Sequence, residues 1–234
     1  WLSFQGPEEY SLSGALFPRP FSTADRENLS MSGKRHLIVF AREPVLGRVK
    51  SRLGRDIGVF AAARFYRQTV ATVLNRLARN RRWRCWLALS PDSAINRHRF
   101  WPKSFQPTKQ GTGDIGARMK RAMAQMPPGP VVIIGTDVPD ITGGHIEAAF
   151  KALGDHDIVF GPAADGGYWL VGARRAPSTP DLFSGVRWSS RHTLEDSLSK
   201  LRKQGFKVAL LETLNDVDDG PALAQWRKSK NKCA

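Results

Sequence analysis

Val131, Val132, Ile133 and Ile134 form an unbroken β-branched run, followed by Gly135, Thr136, Asp137 and, two residues on, Pro139. With no polar alternation, such a run predicts a strand buried on both faces, as in the middle of a parallel sheet. Gly135 ends the run, and Pro139 cannot continue a hydrogen-bonded ladder. Asp137 therefore falls at the strand's carboxyl end, where open α/β sheets place their ligands. An acidic side chain there can hold a divalent cation against a phosphate. The plainer alternative is an Asx-turn leading into the next helix.

The remaining chain alternates strand and helix around this run. Residues 37–41 predict a first strand and 59–79 a long helix, with Val70, Val73, Leu74 and Leu77 at helical spacing and Phe60 and Ala63 earlier on the same face. Residues 83–89 predict a second strand and 104–110 a short third one. Residues 111–126 read as a glycine-rich loop running into a helix with an apolar stripe of Ile115, Met119, Ala122, Met123 and Met126, a core stripe rather than a binding face. A helix over 144–153 with Thr142 as its cap follows the central strand, then a strand over 157–161. Asp165, Gly166 and Gly167 precede another apolar run, and paired glycines there predict a tight turn or a ligand against the backbone. A helix over 193–204, a strand over 207–211 and a helix over 221–228 close the chain. This order predicts an α/β/α sandwich with a mostly parallel sheet.

Three stretches besides Asp137 carry chemistry. The loop 41–53 follows the first strand and holds Arg42, Arg48, Lys50 and Arg52 around Gly47. Gly47 can adopt positive φ and admit phosphate oxygens, which Lys50 and Arg52 can neutralise. It is not a Walker A loop, having a single glycine. Gly111, Gly113 and Gly116 leave room for a flat ligand where a helix N-terminus favours an anion; the alternative is a plain loop capped by Asp114. Asp216, Asp218 and Asp219 follow the last strand directly.

Composition excludes several classes. The 234 residues carry 36 Lys and Arg against 21 Asp and Glu, a net charge of +15. That field attracts polyanions such as nucleotides and phosphorylated substrates. No helix-turn-helix, zinc-finger or aromatic RNA-binding signature accompanies it, so no nucleic-acid partner is expected. No apolar run reaches the roughly 20 residues of a membrane span. Cys85 and Cys233 cannot make a metal site by themselves, and a reducing, cytoplasmic location fits. Residues 1–30 show neither periodicity nor a secretory pattern, and Met31 opens the structured sequence. They read as a disordered or artefactual tail preceding a single domain over 31–234.

The blocks FAREPVLGRVKSRL, QGTGDIGARM, VVIIGTDVPDIT, GPAADGGYWLVG, VRWSS and LNDVDDGPAL occur in this order over residues 35–228. In this they resemble the bacterial glycosyltransferase-like proteins related to 2-phospho-lactate guanylyltransferase, within the GT-A, or nucleotide-diphospho-sugar transferase, superfamily. The resemblance implies a Rossmann-like nucleotide-binding half and a mixed-sheet acceptor half. It implies that Asp137 and Asp218 meet one Mg²⁺ or Mn²⁺, although the sequence after Asp218 departs from the relatives' Asp-Thr-Pro-Glu-Asp-Leu. Arg42, Gly47, Lys50 and Arg52 fall on the phosphate loop; Gln110, Gly111, Gly113 and Asp114 fall near the nucleotide base. Asp165, Gly166 and Gly167 fall on the acceptor side. Asp137, Asp165 and Lys50 are the expected catalytic residues, with a nucleotide-sugar or nucleoside triphosphate as donor and a small molecule as acceptor.

Two reactions fit: glycosyl transfer from a nucleotide-sugar, and nucleotidyl transfer from a nucleoside triphosphate to a phosphorylated acceptor. The family favours the first and the basic loop the second. A non-catalytic nucleotide-binding protein is the third reading, and the retained acids and basic loop speak against it.

Overall fold

The computed structural model describes residues 34–97, 100–175 and 180–231. Residues 1–30 and Cys233, both assigned a role or the lack of one above, lie outside the described residues.

Seven strands form one sheet in the order β3-β2-β1-β4-β6-β5-β7. They are β1 (Arg35–Arg42), β2 (Trp83–Ser90), β3 (Gln106–Lys109), β4 (Val131–Ile134), β5 (Ile158–Pro162), β6 (Tyr168–Ala173) and β7 (Val208–Leu210). β4 is buried at all four positions and pairs with β1 on one side, parallel, and with β6 on the other, antiparallel. β6 also runs against β5, and β5 is parallel to β7, so every strand except β6 points the same way. The expected α/β/α sandwich with a mostly parallel sheet is the one observed.

Alternation along the strands divides the core between the two faces. Leu37, Val39, Val132 and Ile134 pack against α2 (Val59–Ala78) and α4 (Gly143–Asp155). Ile38, Phe40, Val131 and Ile133 pack against α3 (Ile115–Ala124) and α5 (Thr193–Lys203). Met119 and Met123 are buried there, as the stripe on α3 required. Thr142 caps α4 through a capping box with His145, satisfying orphan N–H groups at the helix start.

Three local readings differ. Ser51–Ile57 forms a short helix, α1, inside the stretch taken as loop. The last helix, α6, extends over Gly220–Asn231. Leu223 of α6 packs with Leu53 of α1 and Ala62 of α2, with Trp226 beside them, in a small third core. Phe60, placed on the apolar face of α2, is 76% exposed. Periodicity fixes the direction of a side chain but not whether another element reaches its turn of the helix; on α2 burial begins at Ala62.

Candidate functional site

The shared strand direction puts the ends of β1, β4, β5 and β7, and the start of β6, on one edge of the sheet. A pocket of about 580 Å³ opens there. Its lining includes Arg42, Lys50, Arg52, Gln110, Asp137, Asp165, Gly167 and Asp218 from the expected set. Gly47, Gly111, Gly113, Asp114 and Gly166 stand behind it in the supporting loops.

Asp137 and Asp218 converge although 81 positions separate them. The connection is partly main chain: the Val217 N–H donates to the Asp137 carbonyl at 3.1 Å. α6 braces the same loop, because the Gly220 N–H donates to the Asp56 carboxylate of α1 at 2.7 Å and Trp226 Nε1 donates to Asp140 at 3.1 Å.

Between the two carboxylates sits the Lys50 ammonium, 2.5 Å from Asp137 Oδ1 and 2.6 Å from Asp218 Oδ1. Those contacts put the two oxygens no more than about 5 Å apart, close to the separation that one Mg²⁺ with bonds of about 2.1 Å can bridge. The Lys50 side chain is 3% exposed, against 55% for Asp137 and 40% for Asp218. Burial alone lowers a lysine's pKa; here the two carboxylates outweigh it, and the ammonium is held above its ordinary value. The sequence aimed Lys50 at donor phosphates, whereas the folded chain turns it onto the acids. Its backbone is left-handed, φ 48°, at the junction between the basic loop and α1.

Asp216 is the residue that sequence reasoning left without a role. Its carboxyl is pushed up to about 6 by burial first, then by the charges of Asp218 and Asp165. Lys50 is thus the counter-ion of two carboxylates, Asp137 and Asp218, and the charge of Asp218 in turn presses on Asp216. Tyr66 of α2 was also missed. Its hydroxyl donates to the Arg42 carbonyl at 3.0 Å, accepts from the Arg42 N–H at 2.9 Å and lies 3.4 Å from Thr136 Oγ1. It ties the end of β1, where the basic loop begins, to the strand end that carries Asp137. A lone tyrosine on an apolar helix face gives no signal of such a role in sequence.

Other expected residues do structural work. Gln110 is 4% exposed; its amide donates to the Ala41 and Ala88 carbonyls, tying β1 to β2, and accepts from Arg118. Asp114 caps α3 by accepting from the Ala117 N–H at 2.7 Å. The Asp165 carboxylate accepts from the Gly167 N–H at 2.8 Å. Gly166 has φ +87°, and a Cβ there would lie 2.1 Å from the Arg191 carbonyl, so the paired glycines make a tight turn against the α5 loop.

Oxygen ligands and two carboxylates already drawn together on one cation fit a hard ion such as Mg²⁺ or Mn²⁺. Among the described residues no group of three or more His, Cys, Asp or Glu converges as a ligand set. A donor's phosphates and water would complete the shell.

The opposite wall of the pocket is apolar. Phe40, Ile115, Met119, Tyr168 and Trp188 line it on the side of α3 and α5. No helix among the described residues is long and apolar enough to cross a membrane.

Comparison with known proteins agrees with this fold. Residues 73–190 match the family described as "Uncharacterized protein conserved in bacteria (DUF2064)". No curated protein matches the sequence. A candidate nucleotide-diphospho-sugar transferase from Desulfovibrio desulfuricans G20, known by crystal structure, is 31% identical, with a TM-score of 0.75 over 80% of this chain and 84% of that one. 4-Diphosphocytidyl-2C-methyl-D-erythritol synthase from Anaerococcus prevotii is 9% identical, TM-score 0.56, over 85% and 98% of the two chains. Glucosyl-3-phosphoglycerate synthase from Mycobacterium tuberculosis, in complex with Mg²⁺ and uridine diphosphate, is 10% identical, TM-score 0.51, over 86% and 76%. The last two show the shared fold only. The architecture is that of the nucleotide-diphospho-sugar transferases.

Proposed function

The chain belongs to the bacterial DUF2064 family, and on that premise we propose that it is a metal-dependent transferase using a nucleotide-activated donor, with glycosyl transfer from a nucleotide-sugar as the reaction. One observation carries the reading: Asp137 and Asp218 meet across the sheet edge, around a cation, in a pocket whose rim holds Arg42 and Arg52.

Asp137 and Asp218 would hold the divalent ion, with the donor's phosphates opposite them. Bound there, Mg²⁺ or Mn²⁺ offsets charge on the departing nucleoside diphosphate. Arg42 and Arg52, both exposed at the rim, draw in the donor and neutralise its outer phosphate oxygens. Asp165, exposed and fixed by its turn, faces the acceptor side as the base that takes the acceptor hydroxyl's proton in an inverting transfer. The apolar wall around Tyr168 and Trp188 excludes water beside the transferred group.

Nucleotidyl transfer to a phosphorylated acceptor is the second reading, favoured by the basic residues between β1 and α1, with Arg42 and Arg52 exposed at the two ends of that stretch. A relationship to 2-phospho-lactate guanylyltransferase belongs to this reading. Melting curves with matched nucleoside triphosphates and nucleotide-sugars, each with Mg²⁺ or Mn²⁺, test both, because a ligand that binds the folded state raises the melting temperature. A shift with nucleotide-sugars of one base supports glycosyl transfer. A shift confined to triphosphates supports nucleotidyl transfer, and no shift with either class removes both readings.

A further inference from the structure

The Lys50 ammonium lies where the proposed cation would lie. Its contacts of 2.5 and 2.6 Å go to the two carboxylate oxygens that would be metal ligands, and its side chain is almost sealed from water. A divalent ion and this ammonium cannot share that space, since each needs the same oxygens and the two repel. Lys50 also has somewhere to go. It is the junction residue between the basic loop and α1, with a left-handed backbone, and Arg42 and Arg52 line the same pocket on the donor side.

We propose that Lys50 is a stand-in cation: it keeps Asp137 and Asp218 paired in the donor-free protein, weakens the binding of free divalent metal, and yields the carboxylates most readily when the metal arrives with the donor's phosphates, onto which the ammonium then moves. The inference rests on the transferase reading but is tested without any nucleotide. Three consequences follow from charge alone. Free Mg²⁺ or Mn²⁺ binds poorly, because removing the ammonium from two carboxylates offsets what the ion gains. A metal–nucleotide complex binds well, because its phosphates take over the ammonium. Donor and metal therefore enter together, which keeps the acidic cluster from holding an ion with no substrate. Lys50 is thus a positioning residue for the metal and a phosphate contact only after it has moved.

The test is Mn²⁺ binding followed by the paramagnetic resonance signal of the free ion, with Mn²⁺ as the only added ligand. Lys50→Met should bind Mn²⁺ about 10-fold or more tightly than wild type, within the range of ordinary coupling between sites. Adding Asp218→Asn to Lys50→Met should abolish the gain, which locates it at this pair. Equal or weaker binding by Lys50→Met overturns the proposal, because the ammonium then does not compete with the ion for these carboxylates. Should Lys50→Met fail to fold, amine acetylation of the wild-type protein read by mass spectrometry gives the same decision. Lys50 should be protected without metal and become reactive at saturating Mn²⁺; protection that persists with Mn²⁺ bound overturns the inference. Failure of the transferase reading would show instead as the absence of any nucleotide-dependent shift in melting.

Discussion

Replacing Asp216 by Asn should stabilise the metal-free protein at neutral pH and leave it unchanged in acid. The folded chain holds this carboxyl at about 6, above its ordinary value of about 4, by burial and by the neighbouring Asp218 and Asp165. A raised carboxyl pKa means that the folded state binds the proton more tightly than the unfolded state. This group's contribution to stability is therefore greatest below about pH 4 and falls as pH rises through 6. The displacement of about two units corresponds to about 3 kcal/mol if taken whole. The group is only half-buried, and solvent screening reduces that to about 1 kcal/mol. For a chain of this size about 1 kcal/mol moves the melting temperature by about 2–4 °C. The assay is melting in a chelator at pH 4 and at pH 7.5. Asp216→Asn should match wild type at pH 4 and melt about 2–4 °C higher at pH 7.5, and added Mn²⁺ should narrow the gap by compensating the wild-type charge. A variant that melts lower at pH 7.5, or a difference that does not depend on pH, would refute the reasoning.

The remaining predictions concern the pocket and its supports. Arg42→Ala with Arg52→Ala should weaken nucleotide binding about 10-fold or more and flatten its salt dependence, since both side chains are exposed and act through screened charge; calorimetry at two ionic strengths reads this. Asp165→Asn can keep the turn, because the amide oxygen still accepts from the Gly167 N–H, so a fall of about 100-fold or more in kcat with an unchanged melting temperature would mark inverting glycosyl transfer. Preserved turnover in that variant counts against inversion. Tyr66→Phe should cost about 1–2 kcal/mol in chemical denaturation, because it strips two main-chain hydrogen bonds from Arg42 in a buried position, and it should raise the donor KM by loosening the phosphate loop; an unchanged stability would mean the clamp is dispensable.

Sequence alone determined the layers and the edge of the sheet on which the candidate pocket opens. An all-apolar run must be covered on both faces, so Val131–Ile134 fixed a central strand. Strands of one direction present their ends together, so the loops after the apolar runs at 37–41, 131–134 and 207–211 were bound to share an edge. Asp137 and the basic loop were legible on those grounds, and Asp218 and Asp165 through the resemblance of their sequence blocks. The tertiary structure alone decided what each group faces. Lys50 reads in sequence as a phosphate ligand, yet the nearest charges it meets are 87 and 168 positions away. Asp216 and Asp218 look alike as neighbours after one strand, and only the packing of the final loop pushes Asp216 up. Gln110 and Asp114 read as ligand contacts through the family resemblance of their loop, but main-chain groups of β1, β2 and α3 claim their side chains first. Spacing along the chain records the direction in which a side chain leaves the backbone. The order in which strands pair across the sheet decides what it meets there, and no local pattern encodes that order.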